Sequence, residues 1–257
     1  MDFLHAFILS AIEGVTEFLP ISSTGHLILA SHALGIPDTE FVKSFEIIIQ
    51  LGAILAVIVY YFKTLIHKKQ YWSKLFLAFL PTAIVGFTLY PLIKHVLLGS
   101  PIFTLLALFI GGITLILVEI LHKEKESHVA DISHLTQRQA ILIGCFQAIS
   151  VIPGVSRSAA TIMGGMLTGV KRQASVEFSF LLAIPTMLAA SSLDILKSHA
   201  TITSSEFGVL AIGFIGAFIF ALISIRYFIQ YVRTHSFIPF GIYRIILSIV
   251  YFLVILH

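Results

Sequence analysis

Six apolar runs, Phe45 to Phe62, Leu75 to Ile93, Ile102 to Leu121, Phe178 to Leu196, Phe207 to Ile225 and Ile238 to Leu256, dominate the chain. Each is close to the ~20 residues that a helix needs to cross roughly 30 Å of bilayer hydrocarbon. In lipid every backbone N–H and C=O needs a partner within the protein, so such runs fold as helices packed into a bundle. Of the 257 residues 58% are hydrophobic and 11% charged, against about 25% charged in a soluble domain. No polar stretch is long enough to build a second core, so residues 1–257 are expected to form one all-α, polytopic membrane domain. Basic residues sit in short gaps between apolar runs and not on one clustered face, which argues against a nucleic-acid partner. The single cysteine, Cys145, excludes an intrachain disulfide, and its apolar neighbours predict a packed side chain.

Two further apolar runs are too short to span. Phe3 to Ile12 gives about 15 Å of helix; Pro20 then interrupts it, and Leu27 to Leu34 follows. Two half-helices meeting at a polar tip form a re-entrant hairpin, tolerated at membrane depth only inside protein or beside a water-filled cavity. One kinked full span is the alternative. The second half repeats this order: Ala140 to Ile149, the tip Pro153-Gly-Val-Ser-Arg-Ser158, Ala159 to Leu167, then three spans. An offset of 133 residues places Pro20 on Pro153, Ser23 on Ser156 and Phe45 on Phe178. The expected architecture is therefore six transmembrane helices plus two re-entrant helical hairpins: repeat one over 1–122, a cytoplasmic linker over 123–138, and repeat two over 139–257. A hairpin that returns to its own side leaves three crossings per half, which turns the second half upside down as an inverted-topology repeat. One side then collects Lys63, Lys68, Lys69, Lys74, Lys123, Lys125, Arg138, Lys171, Arg172, Arg226 and Arg233, and the other Lys43, Lys94 and Lys197. That bias puts the termini outside the cytoplasm and brings the two tips together near mid-membrane. The mixed charges of the linker are expected only to stay hydrated.

The first tip, Glu13-Gly-Val-Thr-Glu-Phe-Leu-Pro-Ile-Ser-Ser-Thr-Gly-His26, gathers acids, hydroxyls and a histidine within apolar sequence. Ionisable groups inside a membrane point to function. Glu13 and Glu17, four apart, share a helix face and suit a hard divalent cation, Mg²⁺ or Ca²⁺, with water and phosphate oxygens completing its shell; a pair of acids lining a wet vestibule is the alternative. Ser22, Ser23 and Thr24 follow the Pro20 break as helix N-cap candidates. His26, one turn past Ser23, is within reach of its proton, although capping plus a core histidine would also account for the pair. In the second tip Ser156, Arg157 and Ser158 open a half-helix in the same way. Arg157 either clamps an anion between two helix N-termini or pairs with Glu13 or Glu17. Glu46 and Gln50 extend the same region, and Arg244 in the last span either snorkels or meets an acid.

These two motifs, together with Phe45-Glu-Ile-Ile-Ile-Gln-Leu-Gly52, resemble the bacitracin-resistance family of undecaprenyl-diphosphate phosphatases over essentially the whole chain. The resemblance implies hydrolysis of undecaprenyl diphosphate to undecaprenyl phosphate and inorganic phosphate, which recycles the lipid carrier of cell-wall synthesis. It implies Ser23 as nucleophile, His26 and Glu17 handling protons or metal, Glu13 assisting, and Arg157 stabilising phosphoryl charge, with Ser22, Thr24, Ser156 and Ser158 contacting substrate. A divalent cation, a homodimer, a multi-pass protein of the bacterial inner membrane and a site open to the periplasmic face belong to the same expectation. So does bacitracin competing for the lipid substrate without binding the protein. A transporter or flippase for a lipid-linked or other anionic substrate is the rival, since inverted repeats with broken helices also build transporters.

Overall fold

Caps and chain breaks, rather than hydropathy alone, decide where each helix begins in the computed structural model, which describes residues 1–37, 39–89, 101–197 and 206–255, with backbone only at 101, 197, 254 and 255. The elements are α1 (Phe3–Thr16), α2 (Ser23–Ala33), α3 (Glu40–Tyr60), α4 (Phe62–His67), α5 (Gln70–Thr88), α6 (Pro101–Leu121), α7 (Gln137–Ala148), α8 (Arg157–Leu167), α9 (Arg172–Lys197), α10 (Phe207–Tyr231) and α11 (Ile238–Ile255). Among the described residues there is no strand. Thr39 starts α3 several residues before the apolar run by accepting the Val42 N–H at 3.3 Å, and Thr136 and Gln139 close a reciprocal capping box on α7. Among the described residues five helices, within α3, α5, α6, α9 and α10, are long and apolar enough to cross a membrane, and residues 238–253 form a shorter apolar helix. Phe76, Leu106, Ile110 and Ile215 face outward from these helices. The chain is a multi-pass membrane protein. Of the residues invoked for span ends and charge bias, Ile93, Lys94 and Leu256 lie outside the described residues, as does the Lys197 side chain.

The two hairpins repeat each other in cap geometry, but at an offset of 134 and not 133. Ser22 and Ser156 both hold a left-handed backbone, at φ 71° and 73°, a conformation that strains any residue with a Cβ. Each accepts an N–H from three residues on, Gly25 at 3.3 Å and Ala159 at 3.2 Å. Helices of 11 residues follow in both halves, and the positive φ of Gly35 recurs at Gly169. Ser22 therefore corresponds to Ser156, Ser23 to Arg157, and Glu13 to Gln147. The pairing of Ser23 with Ser156 followed a shared letter; the backbone repeats the cap.

Packing repeats as well. Helix α1 lies against α10 while its counterpart α7 lies against α5; α3 meets α10 as α9 meets α5; and α3 with α9, like α6 with α11, pair corresponding spans. Each hairpin is thus gripped by a helix of the other half. The grip needs small residues, because in lipid helices associate by close van der Waals fit. A Cβ on Gly14 of α1 would lie 2.6 Å from the Ala217 carbonyl oxygen of α10, and one on Gly144 of α7 would strike the Ala78 backbone of α5.

The linker is docked, not merely hydrated. Glu124 accepts the Arg172 N–H at 2.7 Å, which places an acid at the start of α9. Val129 exchanges backbone hydrogen bonds with Gly169 and Lys171, and the ammonium of Lys74 donates to the Ser133 carbonyl at 2.6 Å. Asp131 accepts the Ser133 N–H at 2.7 Å, which holds its carboxyl below the usual carboxylate range. Glu119 of α6 pairs with Arg172. Cys145 is exposed, because it lies on the face of α7 turned away from buried Ile143 and Gly144. Since backbone cannot yield to a new side chain, Gly144→Val should destabilise the protein by about 1–3 kcal/mol, read as a lowered thermal unfolding midpoint in detergent.

Candidate active site

The two tips meet at the closed end of a cavity of about 780 Å³. Glu17, Ser22, Ser23 and Thr24 of the first tip and Ser156 and Arg157 of the second line it, while Phe79, Ala83, Ile84 and Phe87 of α5 and Met187 and Leu193 of α9 form apolar walls. Glu13, His26 and Ser158, grouped with these residues by sequence, do not line it.

Glu17 is the hub. It caps the C-terminus of α1, its N–H bonded to the Glu13 carbonyl, and its two carboxylate oxygens serve different partners. Oε2 accepts from the Ser23 hydroxyl. Oε1 accepts from Arg157 Nη2 at 2.7 Å, an ion pair with both side chains about nine-tenths buried. Arg157 is held from behind as well: Nη1 donates to the Ser179 carbonyl at 2.9 Å, and the guanidinium lies 5.7 Å from the centre of the Phe18 ring. Its Nε is buried without a hydrogen-bond partner. Thr161 Oγ1, one turn along α8, is 2.6 Å from Ser179 Oγ and buttresses that support. Of the two roles open to Arg157, the structure displays the pairing with Glu17.

Ser158 joins the tips rather than facing the cavity, since its hydroxyl donates to the Phe18 carbonyl at 2.8 Å. His26 is not joined to Ser23. Its Nδ1 lies 2.7 Å from the Ser22 carbonyl and its Nε2 2.7 Å from the Tyr243 hydroxyl, with the two rings nearly parallel. This arrangement turns the imidazole toward α11 and leaves the Ser23 proton to Glu17. The hydroxyls of Ser22 and Ser156 cap their helices as acceptors, and each keeps its own proton to donate.

Glu13 has no exposed surface, and neither of its carboxylate oxygens has a hydrogen-bond partner. Glu17, Glu46 and Arg157 are the charged groups close enough to act on it. A buried acid left open on both oxygens, one turn from a second acid, is the donor set a hard divalent cation would use. Among the described residues no three His, Cys, Asp or Glu side chains form a metal cluster, so most of such an ion's shell would come from substrate and water.

Sequence reasoning missed part of the cavity lining. Thr82 and Thr186 are bridged by Gln147, whose Nε2 reaches their hydroxyls at 2.9 and 3.0 Å, whereas Gln50, which the sequence did point to, adds an amide from α3. Gln147 was detectable as the counterpart of Glu13, but only with the 134-residue offset. Arg244 meets backbone carbonyls of α6 and of both tips, and neither snorkels nor ends on an acid.

Residues 6–250 match the family described as bacitracin resistance protein BacA. Among similar proteins, the undecaprenyl-diphosphatase of Aquifex aeolicus is 52% identical over 96% of both chains. That of Persephonella marina is 47% identical over the full length of both, and that of Wolinella succinogenes 47% identical over 98% of this chain and 97% of its own. With near-complete coverage and this identity, the chain belongs to the BacA bacitracin-resistance family.

Proposed function

We propose that this chain hydrolyses undecaprenyl diphosphate to undecaprenyl phosphate and inorganic phosphate, with Ser23 as the nucleophile. The observation that carries the chemistry is the relay from Ser23 through Glu17 to Arg157 at the closed end of a cavity with apolar walls. As Ser23 Oγ bonds to the terminal phosphorus, its proton passes to Glu17 Oε2, and the bond from phosphorus to the bridging oxygen breaks to release undecaprenyl phosphate. Glu17 passes that proton to solvent as undecaprenyl phosphate departs. Water then attacks the phosphoserine, Glu17 takes the water proton and returns it to Ser23 Oγ as the phosphorus–Oγ bond breaks, and inorganic phosphate leaves. Arg157, anchored through Nη1 by the Ser179 carbonyl, carries its charge to the phosphoryl oxygens by turning Nη2 away from Glu17. The N-termini of α2 and α8 and the free hydroxyl protons of Ser22 and Ser156 add donors for the same anion. His26 holds the Ser22 carbonyl and so steadies the turn that carries Ser23.

Glu13 and Glu17 would hold a divalent cation, Mg²⁺ or Ca²⁺, which when bound offsets diphosphate charge. Transport of an intact anionic lipid has no use for a hydroxyl bonded to a carboxylate. The crossed packing and the 134-residue repeat support six spans with two re-entrant hairpins in inverted topology. The cavity touches the C-terminal parts of α5 and α9, at Ile84, Phe87, Leu193 and Asp194, opposite the ends that carry Lys74 and Arg172. With the basic side in the cytoplasm, this favours a bacterial cytoplasmic membrane protein whose site opens to the outer face.

Purified protein supplied with Mg²⁺ or Ca²⁺ should release phosphate from undecaprenyl diphosphate, and Ser23→Ala should lower kcat by at least about 100-fold with an unchanged unfolding profile. Full turnover in folded Ser23→Ala would remove Ser23 as nucleophile. Arg157→Met strands the buried Glu17 carboxylate and should destabilise the fold by roughly 3–5 kcal/mol. Adding Glu17→Gln should restore most of the thermal stability and none of the phosphate release, measured on the same preparations.

A further inference from the structure

Among the described residues Arg244 is the largest side chain with no exposed surface, and its five hydrogen bonds all end on backbone carbonyls. Nε donates to Leu108 at 3.3 Å and Nη2 to Ala107 at 3.2 Å, both in the middle of α6. Nη1 donates to Pro20 at 3.2 Å in the first tip; Nη2 also reaches Gly154 at 2.9 Å and Val155 at 3.1 Å in the second. Pro20 precedes Ser23 by three residues, and Gly154 precedes Arg157 by three. A buried guanidinium without a counter-ion is costly, and an apolar residue of similar volume would pack more cheaply. The tips, by contrast, are irregular backbone whose carbonyls lack helical partners. The planar fork of arginine can serve several of them at once; the single ammonium of lysine cannot.

We infer that Arg244 is a positioning residue for the reaction proposed above: by holding both tips on one guanidinium it sets the distance between the Ser23 nucleophile and the Arg157 charge. The inference rests on that reading of the site. Gly111 of α6 offers an independent handle, because a Cβ there would run into the guanidinium, 2.8 Å from Cζ. Ser248, one turn beyond Arg244, donates to the Leu105 carbonyl at 2.9 Å and joins the same pair of helices without touching either tip.

The test measures phosphate release from undecaprenyl diphosphate, with kcat and KM separated, for wild type, Arg244→Lys, Gly111→Ala, the double variant and the Ser248→Ala control. Misplacement of reacting groups by about 1 Å can reduce turnover ~100-fold. Arg244→Lys and Gly111→Ala should each lower kcat by about 10- to 100-fold with KM changed less than about threefold. The double variant should be no slower than Arg244→Lys alone, since both act through one group, and Ser248→Ala should keep the wild-type kcat. Unchanged kcat in either folded variant, losses that multiply in the double variant, an equal loss in Ser248→Ala, or failure of both single variants to fold would overturn the positioning role. A wild-type protein that releases no phosphate would instead overturn the phosphatase reading on which it rests.

Discussion

Buried backbone that is neither helix nor strand must find its hydrogen bonds elsewhere in the protein, and the two hairpin tips are such backbone. The rest of the structure follows from that constraint. Arg244 supplies donors to Pro20, Gly154 and Val155, and Ser158 supplies one to Phe18. Ser22 and Ser156 accept N–H groups at the starts of α2 and α8. Once these partners are in place, the tips must lie side by side, because one guanidinium serves both and Ser158 of the second tip bonds to Phe18 of the first. The strained φ of the two serines is part of the same solution: it turns the chain sharply enough that the next residue, Ser23 or Arg157, opens a helix facing the cavity.

The internal repeat supplies the frame, and departures from it supply the chemistry. Ser23 and Arg157 occupy equivalent positions, as do Glu13 and Gln147, so a pair of like scaffolds presents a hydroxyl and an acid on one side and a guanidinium and an amide on the other. Glu17 and Arg157 then meet across the interface between halves. Neither half contains a complete site, and the crossed packing of α1 on α10 and α7 on α5 gives the interface the rigidity that a 2.7 Å ion pair requires.

The spans were legible because hydrocarbon length fixes run length, and the tip motifs because acids, serines and an arginine have no structural excuse inside apolar sequence. The partners of those residues were less legible. His26 is one helical turn from Ser23, yet ring orientation is set by Tyr243, 217 residues away, and spacing along a helix carries no information about that neighbour. Ser158 has the same residue type as Ser156 but points to Phe18 in the other half. The offset of 133 came from matching letters in a sequence rich in Leu, Ala and Ser, whereas the quantity that repeats is backbone geometry. Arg244 was conspicuous as a charge within a span, but its partners are carbonyls, which every residue has and no sequence pattern marks. The charges at 123–126 are exposed, as expected of the linker, but the bond from the Arg172 N–H to Glu124 was not legible for a similar reason, since its donor is backbone.

Charge balance links this geometry to the chemistry. Among the described residues lining the cavity Arg157 is the one basic side chain, and its charge is already matched by Glu17. Glu13 stands behind them with no hydrogen-bond partner on either oxygen. A diphosphate entering this site brings further negative charge into a low-dielectric enclosure where like charges repel strongly. In the proposed reaction two changes would relieve it: Arg157 would shift its Nη2 from Glu17 toward the phosphoryl oxygens, and a cation would arrive beside Glu13 with the substrate. The first would free the Glu17 carboxylate to take the Ser23 proton at the moment the substrate is clamped. The second would turn an otherwise unfavourable buried acid into a ligand. On this account the ion pair between Arg157 and Glu17 would be the resting form of the array, which substrate binding would convert into the working one.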